Sequence, residues 1–176
     1  AQELPTEGKW VVQRAIEPPE GPYRGICVRG FLQRDAAGDW RSAGRVARVS
    51  GDDPVANVAR GAEGIEVAAL LERVPGLAGF VDDLDGLERR LIDVVLGFAG
   101  HEAERVLEIG VDWVPDAEGR PHLVEINGKP GGRLRILAEQ AGEAGARWRE
   151  RHLEAVMADL DDLEHRAAEP VVAEAG

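Results

Sequence analysis

The sequence contains only one cysteine, Cys27, among its 176 residues. A single thiol can form neither an internal disulfide nor a cysteine-based zinc cluster, so both are excluded within this chain. Cys27 stands among apolar residues in a strand-like segment, where a small buried thiol is the usual finding. The sequence therefore predicts a structural cysteine.

Long hydrophobic runs and positive charge are also scarce. No run approaches the roughly 18 apolar residues of a membrane span, and the opening AQELPTEGKW has no apolar signal-peptide core. Lys and Arg number 21 against 33 Asp and Glu, a formal net charge of −12. Nucleic-acid surfaces need clustered basic side chains. These absences predict a soluble, cytoplasmic protein that binds neither nucleic acid nor membrane.

What the sequence does contain is a mixture of strand and helix patterns. The predicted strands are 9–16, 23–35, 40–50, 107–114 and 121–127. The predicted helices are 65–74, 84–106 and about 134–166. Residues 51–64 have no clear period and are predicted to form a loop. The pattern favours one α+β domain, an antiparallel sheet with flanking helices and a C-terminal helical tail.

Several charged residues receive structural interpretations. Asp82, Asp83 and Asp85 lack the spacing of a calcium loop and are interpreted as capping residues ahead of the helix at 84–106. Arg45 and Arg48 are interpreted as strand-surface residues, with Arg48 the better ligand candidate. The histidines have no acid or cysteine paired with them in the pattern, and we predict solvated or packing roles for them.

The hairpin at 107–127 carries three oxygen-bearing side chains that can meet. Glu125 and Asn127 are two apart on the second strand, so alternation places them on one face, and Asp112 on the first strand can come level with them. Two carboxylates and an amide oxygen are donors that Mg²⁺ or Mn²⁺ prefers. Solvated residues on an open sheet face are the alternative, and spacing alone does not choose.

The stretch IGVDWV followed by HLVEINGKPGG resembles the end of the ATP-grasp fold, in particular its YheC/YheD spore-coat-associated and ribosomal-protein glutamate ligase branches. The resemblance implies that Asp112, Glu125 and Asn127 bind the Mg²⁺ (or Mn²⁺) ions that bridge the phosphates of ATP. It also implies that Lys129, in the loop after the second strand, is a cofactor-binding residue. Gly128 stands where the family usually has serine.

Upstream segments follow the family order. VVQRAI resembles the segment that leads into the adenine-holding hinge, which implies cofactor-binding roles for Gln13, Arg14, Ala15 and Ile16, although the family often has an acid at the place of Arg14. ICVRGFLQRD resembles the strand whose arginine meets phosphate, here Arg29. Independently, a guanidinium in a buried strand is costly without an anionic partner.

NVARGA, at 57–62, resembles the family's Asn-x-x-Arg-Gly-Gly loop. Asn57, Arg60 and Gly61 match that pattern, and Ala62 replaces the second glycine. The resemblance implies that this loop contacts the transferring phosphate or the acceptor, with Asn57 binding the cofactor and Arg60 assisting Arg29 in catalysis. A solvated loop residue is the alternative for Arg60.

The resemblance spans about residues 9–137 and predicts two parts of the chain. Residues 1–137 are expected to form an ATP-grasp C-terminal lobe, with the lysine-bearing N-terminal lobe absent or on a partner chain, and 138–176 a helical tail. The implied function is an ATP- and Mg²⁺-dependent ligase that joins a carboxylate to an amine or thiol through an acyl phosphate. The alternative is a non-catalytic nucleotide-binding or protein-interaction module. Homodimerisation through the tail stays open.

Overall fold

The structure, a computed structural model, describes residues 14–34, 39–100, 106–128 and 157. Its strands are β1 (Gly25–Arg34), β2 (Trp40–Ser50), β3 (Glu63–Glu66), β4 (Glu108–Pro115) and β5 (Pro121–Asn127). Its α-helices are α1 (Val67–Arg73) and α2 (Ala78–Ala99), with short 3₁₀ helices at Val58–Arg60 and Pro75–Leu77. Lys129, Gln13 and the predicted helical tail, apart from Met157, lie outside the described residues. The predicted α+β class is confirmed.

The five strands form one antiparallel sheet in the order β3-β2-β1-β4-β5. β1 lies at its centre because β2 returns beside it on one side and β4, after the helices, pairs with it on the other. The central strand is buried along nearly its whole length. Its side chains alternate between the two faces of the sheet, and the two faces contact different parts of the protein.

One face of the sheet packs against the helices and holds the main hydrophobic core. We call it the helix face. Val28 and Leu32 of β1 and Val111 of β4 meet Phe80 and Leu84 of α2, all at 2% exposure or less. Each such side chain contributes roughly 1.5–3 kcal/mol by leaving water. This layer holds the helices on one side of the sheet.

A buried ion pair crosses the helix face. Arg45 of β2 donates from Nε and Nη2 to the Glu88 carboxylate of α2 at 3.0 and 2.6 Å, and also pairs with Asp85. Glu88 is 2% exposed and lies directly over Gly30, where a Cβ would come within 2.3 Å of its Oε1. A side chain at this point of β1 would push the carboxylate away from its present position against the arginine.

Two helical predictions need correction. α2 begins at Ala78, so Asp82, Asp83 and Asp85 lie inside the helix and do not cap it. Packing of Phe80 and Leu84 into the core extends the helix toward its N-terminus despite these acids. The helix predicted at 65–74 begins only at Val67, because the preceding residues form β3 against β2.

Within the part of the chain that the structure describes, there is no helix of sufficient length and apolar character to span a membrane.

Candidate phosphate and metal site

The face of the sheet opposite the helices carries the charged residues of the candidate site. We call it the arginine face. In β1, alternation places both Arg29 and Cys27, two residues apart, on this face. The strand register pairs Arg29 with Asp112 of β4. Arg48 of β2 lies opposite Cys27 in the register of the β1–β2 pair. Three strands thus bring two guanidinium groups and a carboxylate together.

Asp112 is held by both arginines. Arg29 donates from Nε to Oδ1 at 2.7 Å and from Nη2 to Oδ2 at 2.6 Å. Nη2 of Arg48 lies 2.7 Å from the same Oδ2. Arg29 and Asp112 are 8% and 5% exposed. Burial opposes the negative charge, but the hydrogen bonds and positive charges of the two arginines outweigh it and lower the pKa of Asp112.

The hairpin of β4 and β5 places the predicted metal ligands on the arginine face. Asp112 pairs directly with Glu125, and Asn127 follows two residues later, opposite Gly110. A bulge in the pairing after Asp112 does not disturb this alignment. The Glu125 side chain is 57% exposed and its Oε2 lies 4.0 Å from Nη2 of Arg29. The structure therefore aligns two carboxylates and one amide, as the sequence predicted.

The chemical types of these donors suit a hard divalent cation, provided that an oxygen of Asp112 is released from Arg29. Carboxylate and amide oxygens are suitable ligands for Mg²⁺. Both oxygens of Asp112, however, already accept hydrogen bonds from Arg29. Among the described residues there is no cluster of three or more His, Cys, Asp or Glu side chains placed to hold a metal.

The loop between β2 and β3 lies over the arginine face. Its Ala56 and Ala62 pack on Cys27. The Asn57 side chain accepts a hydrogen bond from the amide of Ala59 at 2.9 Å and caps the 3₁₀ helix, which Gly61 ends with φ 94°. Asn57 thus shapes the loop.

Arg60, the predicted catalytic residue of this loop, is exposed to 59% and pairs with Asp53 at 2.7 Å. The two residues belong to the same loop, so their ion pair helps to hold the loop's own shape. The structure therefore places Arg60 at the surface of the loop, whereas Arg29 is buried in the sheet.

A family model described as YheC/D-like ATP-grasp matches residues 1–153. The chain belongs to this ATP-grasp family. The predicted membership of the ATP-grasp superfamily, with its likeness to the YheC/YheD branch, is thereby confirmed, and the family indicates ATP-dependent, ligase-type chemistry. A comparison with curated proteins gives no match.

A cleft of about 600 Å³ adjoins the segment that the sequence predicted to resemble the ATP-grasp hinge. Arg14, Ala15 and Ile16 line one side of it, and Asp116 and His122 of the β4–β5 hairpin line another. These hinge residues have no regular secondary structure. Three of the predicted adenine-binding residues thus line this cleft.

Asp116 organises the hairpin turn beside this cleft. Its Oδ1 accepts hydrogen bonds from the amides of Glu118 and Arg120 at 3.0 and 2.9 Å, and its Oδ2 lies 2.9 Å from Nε2 of His122. The hydrogen bond with His122, followed by those from Arg120, holds the pKa of Asp116 well below its usual range. We predicted no acid partner for this histidine, because the contact spans a turn whose geometry spacing alone does not show.

Arg48 is the residue of this ion cluster whose burial the sequence did not predict, whereas the burial of Cys27 was predicted correctly. Arg48 was interpreted as a strand-surface residue, but its side chain is 12% exposed, and it donates from Nη2 to Sγ of Cys27 at 2.7 Å. Burial, and then the charge of Asp112, raise the pKa of the Cys27 thiol to about 11. The thiol therefore stays protonated at neutral pH, as expected of a structural cysteine.

We expect Gly25→Ala to disturb the loop over the arginine face. A Cβ on Gly25 would lie 2.5 Å from the carbonyl oxygen of Asp53 and 3.0 Å from the backbone of Pro54, so the loop must move. Overpacking of this kind costs about 1–3 kcal/mol. Urea unfolding should show this loss, and hydrogen exchange should show faster exchange of the Ala59 amide.

Gly51→Ala is the matched control for this experiment. It lies in the same loop, but a Cβ there meets no atom within 4 Å, so stability should change by less than about 0.5 kcal/mol. Equal effects of the two substitutions would contradict the assigned contact between Gly25 and the loop.

Proposed function

We propose that this chain supplies the metal- and phosphate-binding lobe of an ATP- and Mg²⁺ (or Mn²⁺)-dependent ligase that joins a carboxylate to an amine or thiol through an acyl phosphate. The main support is the register that sets Asp112 opposite Glu125, with Asn127 on the same face and Arg29 beside them. Membership of the ATP-grasp family supports the ATP-dependent class. The finer assignments below belong to the proposal.

In this proposal the residues of the arginine face divide the work between cation and anion. Asp112, Glu125 and Asn127 hold the cation, and Arg29 and Arg48 donate hydrogen bonds to phosphate oxygens. Mg²⁺, when bound, neutralises charge that develops on the transferring phosphoryl group. Fixed guanidinium groups in a buried strand contribute in the same direction, since they need no reorganisation as that charge develops.

The reaction requires no nucleophilic side chain from this chain. The substrate carboxylate attacks the γ-phosphorus of ATP, the bond to the bridging oxygen breaks and ADP leaves, which gives the acyl phosphate. The amine or thiol then attacks the acyl carbon and inorganic phosphate leaves. Arg60, exposed at the end of its loop, is assigned to assist at the acceptor side, and Asn57 to hold the loop in shape.

The nucleobase is assigned to the cleft beside Arg14, Ala15 and Ile16. Backbone groups of an irregular segment remain available to pair with a base edge, and the cleft volume of about 600 Å³ accommodates a nucleoside. Gln13 and Lys129 keep the cofactor-binding roles that the resemblance to the family implies. In the proposed organisation, the lobe comprises residues 1–137 and a helical tail comprises residues 138–176.

A second candidate function has one observation in its favour. Both oxygens of Asp112 are occupied by Arg29, and Arg48 contacts one of them again. A permanent ion cluster of this kind would leave a non-catalytic nucleotide-binding or interaction module without a cation site.

Calorimetric titration with a non-hydrolysable ATP analogue separates the two functions. The ligase proposal expects Mg²⁺-dependent binding that weakens on the order of tenfold or more in Glu125→Ala, since one of three cation ligands is lost. Glu72→Ala removes another exposed carboxylate, from α1 on the helix side, and should leave binding unchanged. Nucleotide binding that depends on neither Mg²⁺ nor Glu125 would favour the non-catalytic module.

A further inference from the structure

The buried part of the ion cluster on the arginine face contains more positive than negative charge. Arg29 and Arg48 share the single buried carboxylate of Asp112. Glu125 stands at its edge, 4.0 Å from Arg29 and mostly exposed. In addition, Nε of Arg48 is buried without a hydrogen-bond partner in the described part of the chain. Buried cationic groups that are incompletely paired are costly, so this cluster is suited to accept a further anion.

The same cluster is unfavourable for a divalent cation that arrives alone. To reach Asp112, the cation must displace guanidinium groups from Oδ1 or Oδ2, and it then lies a few ångströms from two positive charges. Like charges a few ångströms apart repel strongly where little water separates them. A ligand with phosphate oxygens changes the balance, because guanidinium groups bind phosphate as readily as carboxylate and can exchange one for the other.

We propose that Arg48, together with Arg29, excludes free divalent cations from Asp112, so that a cation binds there only with an anion that takes over the guanidinium groups. Arg48 is a positioning residue in this scheme, since it acts through Asp112. The identity of the anion as a nucleoside triphosphate rests on the proposed function. The exclusion of the free cation rests only on the contacts among the three side chains.

The first experiment measures binding of Mn²⁺ alone to the full 176-residue chain by electron paramagnetic resonance. Arg48→Gln removes the charge and the contact with Oδ2 of Asp112. We expect free Mn²⁺ to bind this variant at least about tenfold more tightly than the wild type, which corresponds to about 1.4 kcal/mol. Binding that is unchanged or weaker in Arg48→Gln overturns the proposal.

Two further variants make the result specific to Asp112. Arg48→Gln combined with Asp112→Asn should lose the gain in Mn²⁺ affinity, and a gain that persists would place the new binding elsewhere and overturn the proposal. Cys27→Ser changes the other partner of Arg48 and should leave Mn²⁺ affinity unchanged. If circular dichroism shows that Arg48→Gln does not fold, Arg29→Gln replaces it, because glutamine carries no positive charge and cannot make the two-point contact with Asp112, and it should raise affinity in the same direction.

The same proteins titrated with the Mg²⁺ complex of a non-hydrolysable ATP analogue separate this inference from the proposed function. If both are right, Arg48→Gln strengthens binding of free Mn²⁺ and weakens binding of the nucleotide complex. Loss of structure alone does not produce such opposite changes. A gain for Mn²⁺ without nucleotide binding in the wild type supports the exclusion and contradicts the proposed function. Nucleotide binding in the wild type without the gain in Mn²⁺ affinity supports the proposed function and contradicts the exclusion of the free cation.

Discussion

Glu88→Ala is expected to lower the free energy of unfolding by about 3–5 kcal/mol, the cost of breaking a buried ion pair by removing one partner. Glu88 is 2% exposed and accepts two hydrogen bonds from Arg45, so the substitution strands a guanidinium group between sheet and helix. It also opens a space above Gly30, where no side chain can replace the carboxylate. Urea unfolding followed by circular dichroism measures the loss.

Two controls show whether the buried charge is the cause. Asp85 also contacts Arg45, but its side chain is 67% exposed, so Asp85→Ala should cost less than about 1 kcal/mol. Replacing both members of the pair, Arg45→Met with Glu88→Leu, should recover most of the stability that Glu88→Ala loses, because no charge is left unpaired. A double variant as unstable as the single one would show that packing, and not charge, dominates at this position.

Asp112→Asn is expected to remove Mg²⁺-dependent nucleotide binding and to alter the response of stability to acid. The pKa of Asp112 is lowered from its reference value of 3.8 in the folded protein. Its contribution to stability is therefore complete above about pH 4 and is lost as pH falls through the lower, folded-state pKa. The variant lacks this contribution at every pH, and its neutral-pH stability should fall by roughly 3–5 kcal/mol.

The measurement is urea unfolding of wild type and variant between about pH 2 and pH 6, beside calorimetric nucleotide titration. The difference in stability between the two proteins should be largest at the upper end of this range and should shrink toward pH 2. Asp93→Asn, an exposed site on α2, is the control and should follow the wild type in both experiments. A difference independent of pH would contradict the role of the Asp112 charge.

Much of the sheet was predictable because its strands carry local signals. β2 occupies the predicted range, and the hairpin of β4 and β5 differs from its prediction by a residue at each end of the first strand. The alignment of Asp112 with Glu125 follows from strand alternation and a short turn, and both of these can be recognised in the sequence. The strand β3 was missed because its four residues, EGIE, are too few to show a period.

The partners of the arginines were not predictable in the same way. Arg29 and Asp112 are 83 residues apart in sequence, and their contact depends on β1 pairing with β4. Arg45 and Arg48 are three apart on one strand and therefore lie on opposite faces, where each found a different buried carboxylate. Periodicity showed two strand arginines, but only the packing of α2 and the strand order determine what each one binds.

Paramagnetic broadening of backbone amide signals by Mn²⁺ with a non-hydrolysable ATP analogue would test the central claim most directly. If the arginine face is the metal and phosphate site, signals of Asp112, Glu125 and Asn127 should broaden first, while those of α2 on the helix face remain sharp. Broadening centred away from the β4–β5 hairpin, or absent at saturating nucleotide, would contradict the assignment of this face.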